Sequence, residues 1–160
     1  MTMEMFRRSA IALCFTIALA APAASHQAPF LPPKGWVFAA PPAGFIGKWI
    51  KPGSDAYKQN VSVLGHKFDG SLADFHAIAI GQLREKFPGG TIAVNQDTTV
   101  CGDHPAKYVS YGLNSDIGPM IIEQIETVEN GAAYIVTYAR LATQDSDPAA
   151  RDSLTTICGV

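Results

Sequence analysis

Two near-identical pentapeptides, TTVCG at residues 98–102 and TTICG at 155–159, each carry one cysteine, Cys101 and Cys158. The first runs directly into Asp103, His104 and Pro105. A cysteine with a histidine three residues on could be a nucleophile and its base, because the reactive form is a thiolate that needs a proton acceptor in reach. The same thiol could ligate a metal. In an oxidising compartment, two cysteines more often pair with each other. The pair is the expectation carried forward. It would close a long loop and stabilise the fold by about 4 kcal/mol in the chain-entropy picture. Gly102, Asp103 and Pro105 then read as turn residues between strands.

The histidines are His26, His66, His76 and His104, with no H-x-H, H-x-x-x-H or C-x-x-C spacing. Structural zinc usually shows such spacings, and no cofactor is expected. One alternative metal set is kept. If the chain is cleaved after Ser25, the α-amine and imidazole of His26 could begin a copper-holding histidine brace, completed by His66 or His104.

A candidate small-molecule pocket comprises His76, Tyr108, Tyr134, Tyr138 and Arg140. His76 lies on the apolar face of an expected helix. Tyr134, Tyr138 and Arg140 share one face of an expected strand. Aromatics beside an arginine suit a carboxylate-bearing ligand. The competing reading packs the tyrosines under helices and ties His76 to a strand by a hydrogen bond. Glu123 and Glu126 stand three residues apart in a strand, so they point to opposite faces and make no two-carboxylate glycosidase centre. Phosphate loop, nucleophile elbow and dinucleotide fingerprint are absent from the sequence. A catalytic role is not expected. The enzymatic alternative is a secreted hydrolytic or copper-dependent enzyme built on His26, His66 and His104.

The elements that position these side chains begin after an export signal. Arg7 and Arg8 precede an apolar run at residues 10–20 (AIALCFTIALA), and small residues with a proline come next in APAASH. That is the pattern of a secretory signal peptide over residues 1–25, with cleavage after Ala23 or Ser25. The run is too short to span a bilayer, which takes roughly 20 apolar residues. Removing Arg7, Arg8 and Glu4 moves the formal net charge from −2 to about −3. No basic cluster remains, which disfavours nucleic-acid binding. The expected product is secreted or periplasmic, with no membrane span in the mature chain. It comprises an extended arm at 26–34 and a single domain at 35–160.

Within that domain the periodicity predicts strands at 36–39, 45–51 and 60–66. A helix at 71–87 comes next, with Ser71 and Asp74 as a capping box and Pro88, Gly89 and Gly90 as its stop. Strands at 91–97, extending toward 101, and at 107–111 flank a turn at 102–106. Strands at 119–128 and 132–141 are joined through Asn130-Gly131, a hairpin signal. A last helix is expected at 148–158, capped by Asp147 with Pro148 in its first position. Runs such as YIVTYA are apolar on both faces and call for cover on both sides. The fold class is therefore α+β, a mostly antiparallel sheet flanked by helices on both faces.

The order of elements resembles the PsbP-like α/β/α sandwiches, and among them small exported LpqN-like bacterial proteins. The residues behind the likeness are PKGW and GKWI, LADFHAIAIGQLREKF, CGDHPAKYVSY, NGAAYIVTYAR and ARDSLTTICG. The resemblance implies a central antiparallel sheet with helices on both faces and no particular activity, since fold alone does not assign function. The expectation is a non-catalytic binding or accessory protein of the cell envelope, whose partner is a protein or a small molecule. Phe30 and Trp36 in the arm, and a loop holding Trp49 and Tyr57, are the candidate contact residues.

Overall fold

β-branched and aromatic runs punctuated by turn residues favour strands through most of the chain. In the computed structural model, which describes residues 30–158, they build one seven-stranded sheet. The expected signal peptide, its cleavage sites and His26 lie outside the described residues. The strands are β1 (Val37–Ala39), β2 (Phe45–Ile50), β3 (Asn60–Lys67), β4 (Thr91–Val100), β5 (His104–Ser115), β6 (Gly118–Glu129) and β7 (Ala132–Leu141). Their spatial order is β1-β2-β3-β7-β6-β5-β4, and every neighbouring pair is antiparallel. The two helices among the described residues are α1 (Leu72–Lys86) and α2 (Pro148–Leu154). This is an α+β fold with the antiparallel sheet that the periodicity predicts.

The β6–β7 hairpin sits at the centre, in register from Met120↔Leu141 to Glu129↔Ala132. Asn130 (φ 52) and Gly131 (φ 75) supply the two left-handed residues of its tight turn. The turn between β4 and β5 is shorter than expected. Cys101 (φ 50) and Gly102 (φ 92) reverse the chain quickly enough for His104 to pair with Val100 and Pro105 with Thr99. His104 and Pro105 are therefore strand residues.

Helix α1 starts where Ser71 Oγ accepts from the Asp74 N–H and the Asp74 carboxylate accepts from the Ser71 N–H. Its buried residues Phe75, Ala79, Ile80 and Leu83 recur at helical spacing. Phe75 packs with Leu64, Ala133 and Ile135, whereas Ile80 and Leu83 meet Val109, Tyr111, Ile122 and Ala139. Helix α2 is shorter than the expected 148–158. The Thr156 N–H and hydroxyl both turn back to the Ser153 carbonyl, and the Thr155 carbonyl accepts from the Cys101 N–H. The i→i−3 bond from the Thr156 N–H to Ser153 closes α2 in a tight last turn. Ala150, Leu154 and Ile157 pack with Val61, Val63, Ile125, Val136 and Tyr138. Each fully buried Ile or Val of these clusters contributes roughly 1.5–3 kcal/mol. Along β7 the two sets alternate, Ile135 and Ala139 against α1, Val136 and Tyr138 against α2.

Candidate functional site

Strand β6 carries Glu123, Gln124, Glu126 and Thr127 in the middle of the sheet, and all four are buried. Charges there need partners, because an unpaired buried charge is severely destabilising. Glu126 finds His76 on α1, with Oε2 2.7 Å from Nδ1. Burial pushes the Glu126 carboxyl above its ordinary range, and the His76 bond opposes that shift. Register puts Tyr111, Gln124 and Glu126 on the same face of neighbouring strands. Tyr111 Oη, Gln124 Oε1 and Glu126 Oε1 lack a hydrogen-bond partner among the described residues. Burial, then the nearby Glu126 carboxylate, drives the Tyr111 phenol far up.

Glu123 points the other way and is met by Arg151 of α2. Its Oε1 accepts from Arg151 Nε at 3.0 Å and Nη2 at 2.7 Å, and from the Tyr108 hydroxyl at 2.6 Å. Burial pushes the Tyr108 phenol up, and its bond to Glu123 adds to the shift. The two carboxylates serve two separate partners.

The expected pocket residues divide accordingly. Tyr108, Tyr134, Tyr138 and Arg140 occupy strand positions of one parity, whereas His76 reaches Glu126 on the other. Tyr138 is fully buried; its hydroxyl donates to Gln59 Oε1 at 2.5 Å and accepts from the Asp147 N–H at 2.9 Å. Burial first, with the Asp147 N–H bond opposing it, leaves the Tyr138 phenol above its ordinary range. Asp147 also pairs with Lys51 at 2.8 Å. Burial pushes the Asp147 carboxyl up, but Lys51 and the backbone N–H groups outweigh it and hold it below the usual range. Arg140 donates to the carbonyls of Leu141 and Gln144. Tyr134 packs beside Gly65 in the α2-side cluster. His76, Tyr108, Tyr138 and Arg140 each make hydrogen bonds inside the fold. A cleft of about 20 Å³ lined by Leu83, Arg84, Phe87, Gly90, Ile92 and Tyr111 has room for about one water and no more.

The remaining histidines stand apart. His66 lies against Phe68 and Phe75, and burial lowers its imidazole below the usual range. His104 Nδ1 is 3.3 Å from Glu129 Oε1. No group of three or more His, Cys, Asp or Glu is placed to hold a metal among the described residues. Cys101 and Cys158 stand at disulfide distance, with Cα atoms 5.6 Å apart.

The candidate contact residues come together at the other end of the sheet. Trp49 lies on β2 rather than in a loop, paired with Phe38 of β1 and Val61 of β3. Its ring meets Phe30 at 5.0 Å and Phe38 at 5.7 Å between centroids. A Cβ on Gly47 would fall 2.4 Å from the Trp49 ring, so the indole lies flat over a bare backbone. Trp36 meets Tyr138 edge-on at 6.1 Å. Tyr57 instead turns inward and accepts from Asn60 Nδ2. Thr156 Oγ1 bonds both the N–H and the carbonyl of Leu31, which ties the arm to the segment after α2. Leu31, Val37, Phe38 and Ile46 are left exposed in this region, at 69%, 54%, 59% and 39%. Sequence reading missed Phe38, Val37 and Ile46; for Val37 and Phe38 the signal was an apolar strand between two proline pairs.

No protein-family description matches the chain, and no curated protein is similar enough to count as a relative. Solved structures do match. LpqN of Mycobacterium tuberculosis, described as involved in cell envelope biogenesis, aligns with a TM-score of 0.60 at 14% identity over 82% of this chain and 83% of its own. A Pseudomonas aeruginosa protein of unknown function aligns with a TM-score of 0.50 at 17% identity over 67% of this chain and 83% of its own. At these identities the likeness is one of fold.

Proposed function

We propose that this chain is an exported, non-catalytic binding or accessory protein of the cell envelope, working through the sheet end formed by β1, β2 and the arm. One observation carries the reading. Of the six large apolar side chains exposed among the described residues, four gather between Leu31 and Ile46. Val37 and Phe38 lie on the edge strand β1 and Ile46 on β2 beside it, and a concentration of exposed apolar surface marks interaction sites. His76, Tyr108, Glu123, Glu126, Tyr138 and Arg140 instead make hydrogen bonds inside the fold.

The envelope setting is supported by the signal-peptide pattern, by cysteines at disulfide distance and by the likeness to LpqN. No helix among the described residues is long and apolar enough to cross a membrane. The alternation of α1 and α2 contacts along β7 supports a helix on each face, the PsbP-like sandwich, as part of the same proposal.

The test is fractionation of the native host after export. Wild-type chain, starting at Ala24 or His26, is expected in the envelope fraction, and Phe38→Ser is expected to be released into the soluble fraction. Retention of both forms alike, or wild-type protein left in the cytoplasm with its first residues intact, contradicts the reading.

A further inference from the structure

The exposed apolar edge is also where the charge of the chain changes sign. From Phe30 to Ser54 the sequence holds Lys34, Lys48 and Lys51 and no acidic residue; every acid except Glu4 lies at Asp55 or beyond. Lys51 is paired with Asp147, whereas Lys34 and Lys48 make no ion pair among the described residues. Leu31, Val37, Phe38 and Ile46 are exposed in the same stretch of chain; the β1–β2 register sets Val37 and Lys48 on one face of the sheet edge and Phe38 on the other, where it packs against Trp49. Resting on the envelope-binding reading, we infer that this edge docks the protein on an anionic phospholipid surface. Lys34 and Lys48 meet the headgroups, and Phe38, Val37, Leu31 and Ile46 enter the interface.

Lysines beside aromatic and aliphatic side chains suit the boundary between headgroups and acyl chains. The other occupants of such an edge fit less well. A partner strand would have to extend β1, which has only three residues, and prolines stand on either side at Pro32, Pro33, Pro41 and Pro42. Short edges hemmed by proline resist strand addition, since proline offers no N–H. A second copy would bring the same unpaired lysines face to face across a two-fold axis. The chain's own preceding residues, His26 to Pro29 after cleavage at Ser25, contain no large apolar side chain to lay over the patch.

The test uses the exported chain with sedimented vesicles, either phosphatidylglycerol mixed into phosphatidylcholine or phosphatidylcholine alone. Two lysines near an anionic surface predict binding about 30-fold tighter to the anionic vesicles, lost at high salt. Brominated acyl chains should quench tryptophan emission on binding, because Trp49 sits against Phe38. Phe38→Ser should abolish quenching. Should that variant unfold, Lys34→Glu/Lys48→Glu, at one exposed and one half-buried position that make no ion pair among the described residues, is expected to remove the anionic preference. Ile117→Ser and Lys67→Glu, at exposed positions elsewhere, should bind as wild type. Equal binding to both vesicles, or equal loss in Ile117→Ser, overturns the inference. Envelope retention that depends on Phe38, without vesicle binding, also overturns it and leaves a polypeptide partner for the same edge.

Discussion

Removing the imidazole of His76 tests how the centre of the sheet tolerates Glu126. In His76→Ala the fully buried Glu126 loses its one side-chain partner, and neither carboxylate oxygen is then satisfied by a side chain. Deleting one member of a buried pair costs about 3–5 kcal/mol. The low end applies because His76 is 14% exposed and water can follow into the space. At about 4 °C per kcal/mol for a domain of this size, the melting point should fall by about 10 °C near neutral pH.

The loss should also depend on pH. Burial already raises the Glu126 carboxyl and the His76 bond opposes it, so the variant raises it further. A carboxyl raised in the folded state keeps its proton after the unfolded chain has released its own. Its contribution is therefore full below the ordinary glutamate value and is lost as pH rises through the folded value. The gap between wild type and variant should narrow as pH falls from neutrality toward the ordinary glutamate value, because protonating Glu126 removes the unpaired charge that the variant leaves buried. Thermal melts by far-ultraviolet circular dichroism across that range measure it. His76→Leu combined with Glu126→Leu should recover most of the stability, since an apolar pair replaces a buried polar one. A gap that is constant with pH, or below about 1 kcal/mol at neutrality, refutes the reasoning.

Gly47→Ala places a methyl 2.4 Å from the Trp49 ring. It should displace the indole, shift tryptophan emission to the red and cost about 1–3 kcal/mol; unchanged emission and melting would contradict that packing. Tyr138→Phe strands Gln59 Oε1 and the Asp147 N–H, and should lower denaturant stability by about 1–3 kcal/mol. An unchanged midpoint would show that these groups find other partners. Cys101→Ser opens a link between residues 57 apart and should cost about 4 kcal/mol. Thiol labelling of both cysteines in the untreated exported wild type would contradict the link.

Local chemistry made much of the fold legible. Asn130-Gly131 marks the central hairpin because its turn needs two left-handed residues. Ser71 and Asp74 mark the start of α1 because the pattern satisfies its first backbone donors. Contacts set by long-range register were not legible. His76 meets Glu126 across fifty residues of chain, and only the α1 crossing over β6 brings them together. The five-residue pocket set mixed strand positions of one parity with a helical histidine that meets the other. Helix α2 stops early in a tight turn where the Thr156 N–H bonds the Ser153 carbonyl, which helix periodicity does not encode. The aromatic cluster at Trp49 needed both the β1–β2 register and the bare backbone of Gly47. Its hint in the sequence was chemical: apolar residues among lysines, with no acid between Phe30 and Ser54.

The most direct test of envelope binding through the β1 edge is a photo-reactive amino acid placed at Phe38, and separately at Ile117, in the full chain expressed in its native host. Both positions are exposed, at 59% and 54%. The account predicts envelope adducts from position 38, carrying phospholipid, and none from position 117. Equal labelling from the two positions, or none from position 38, would contradict it.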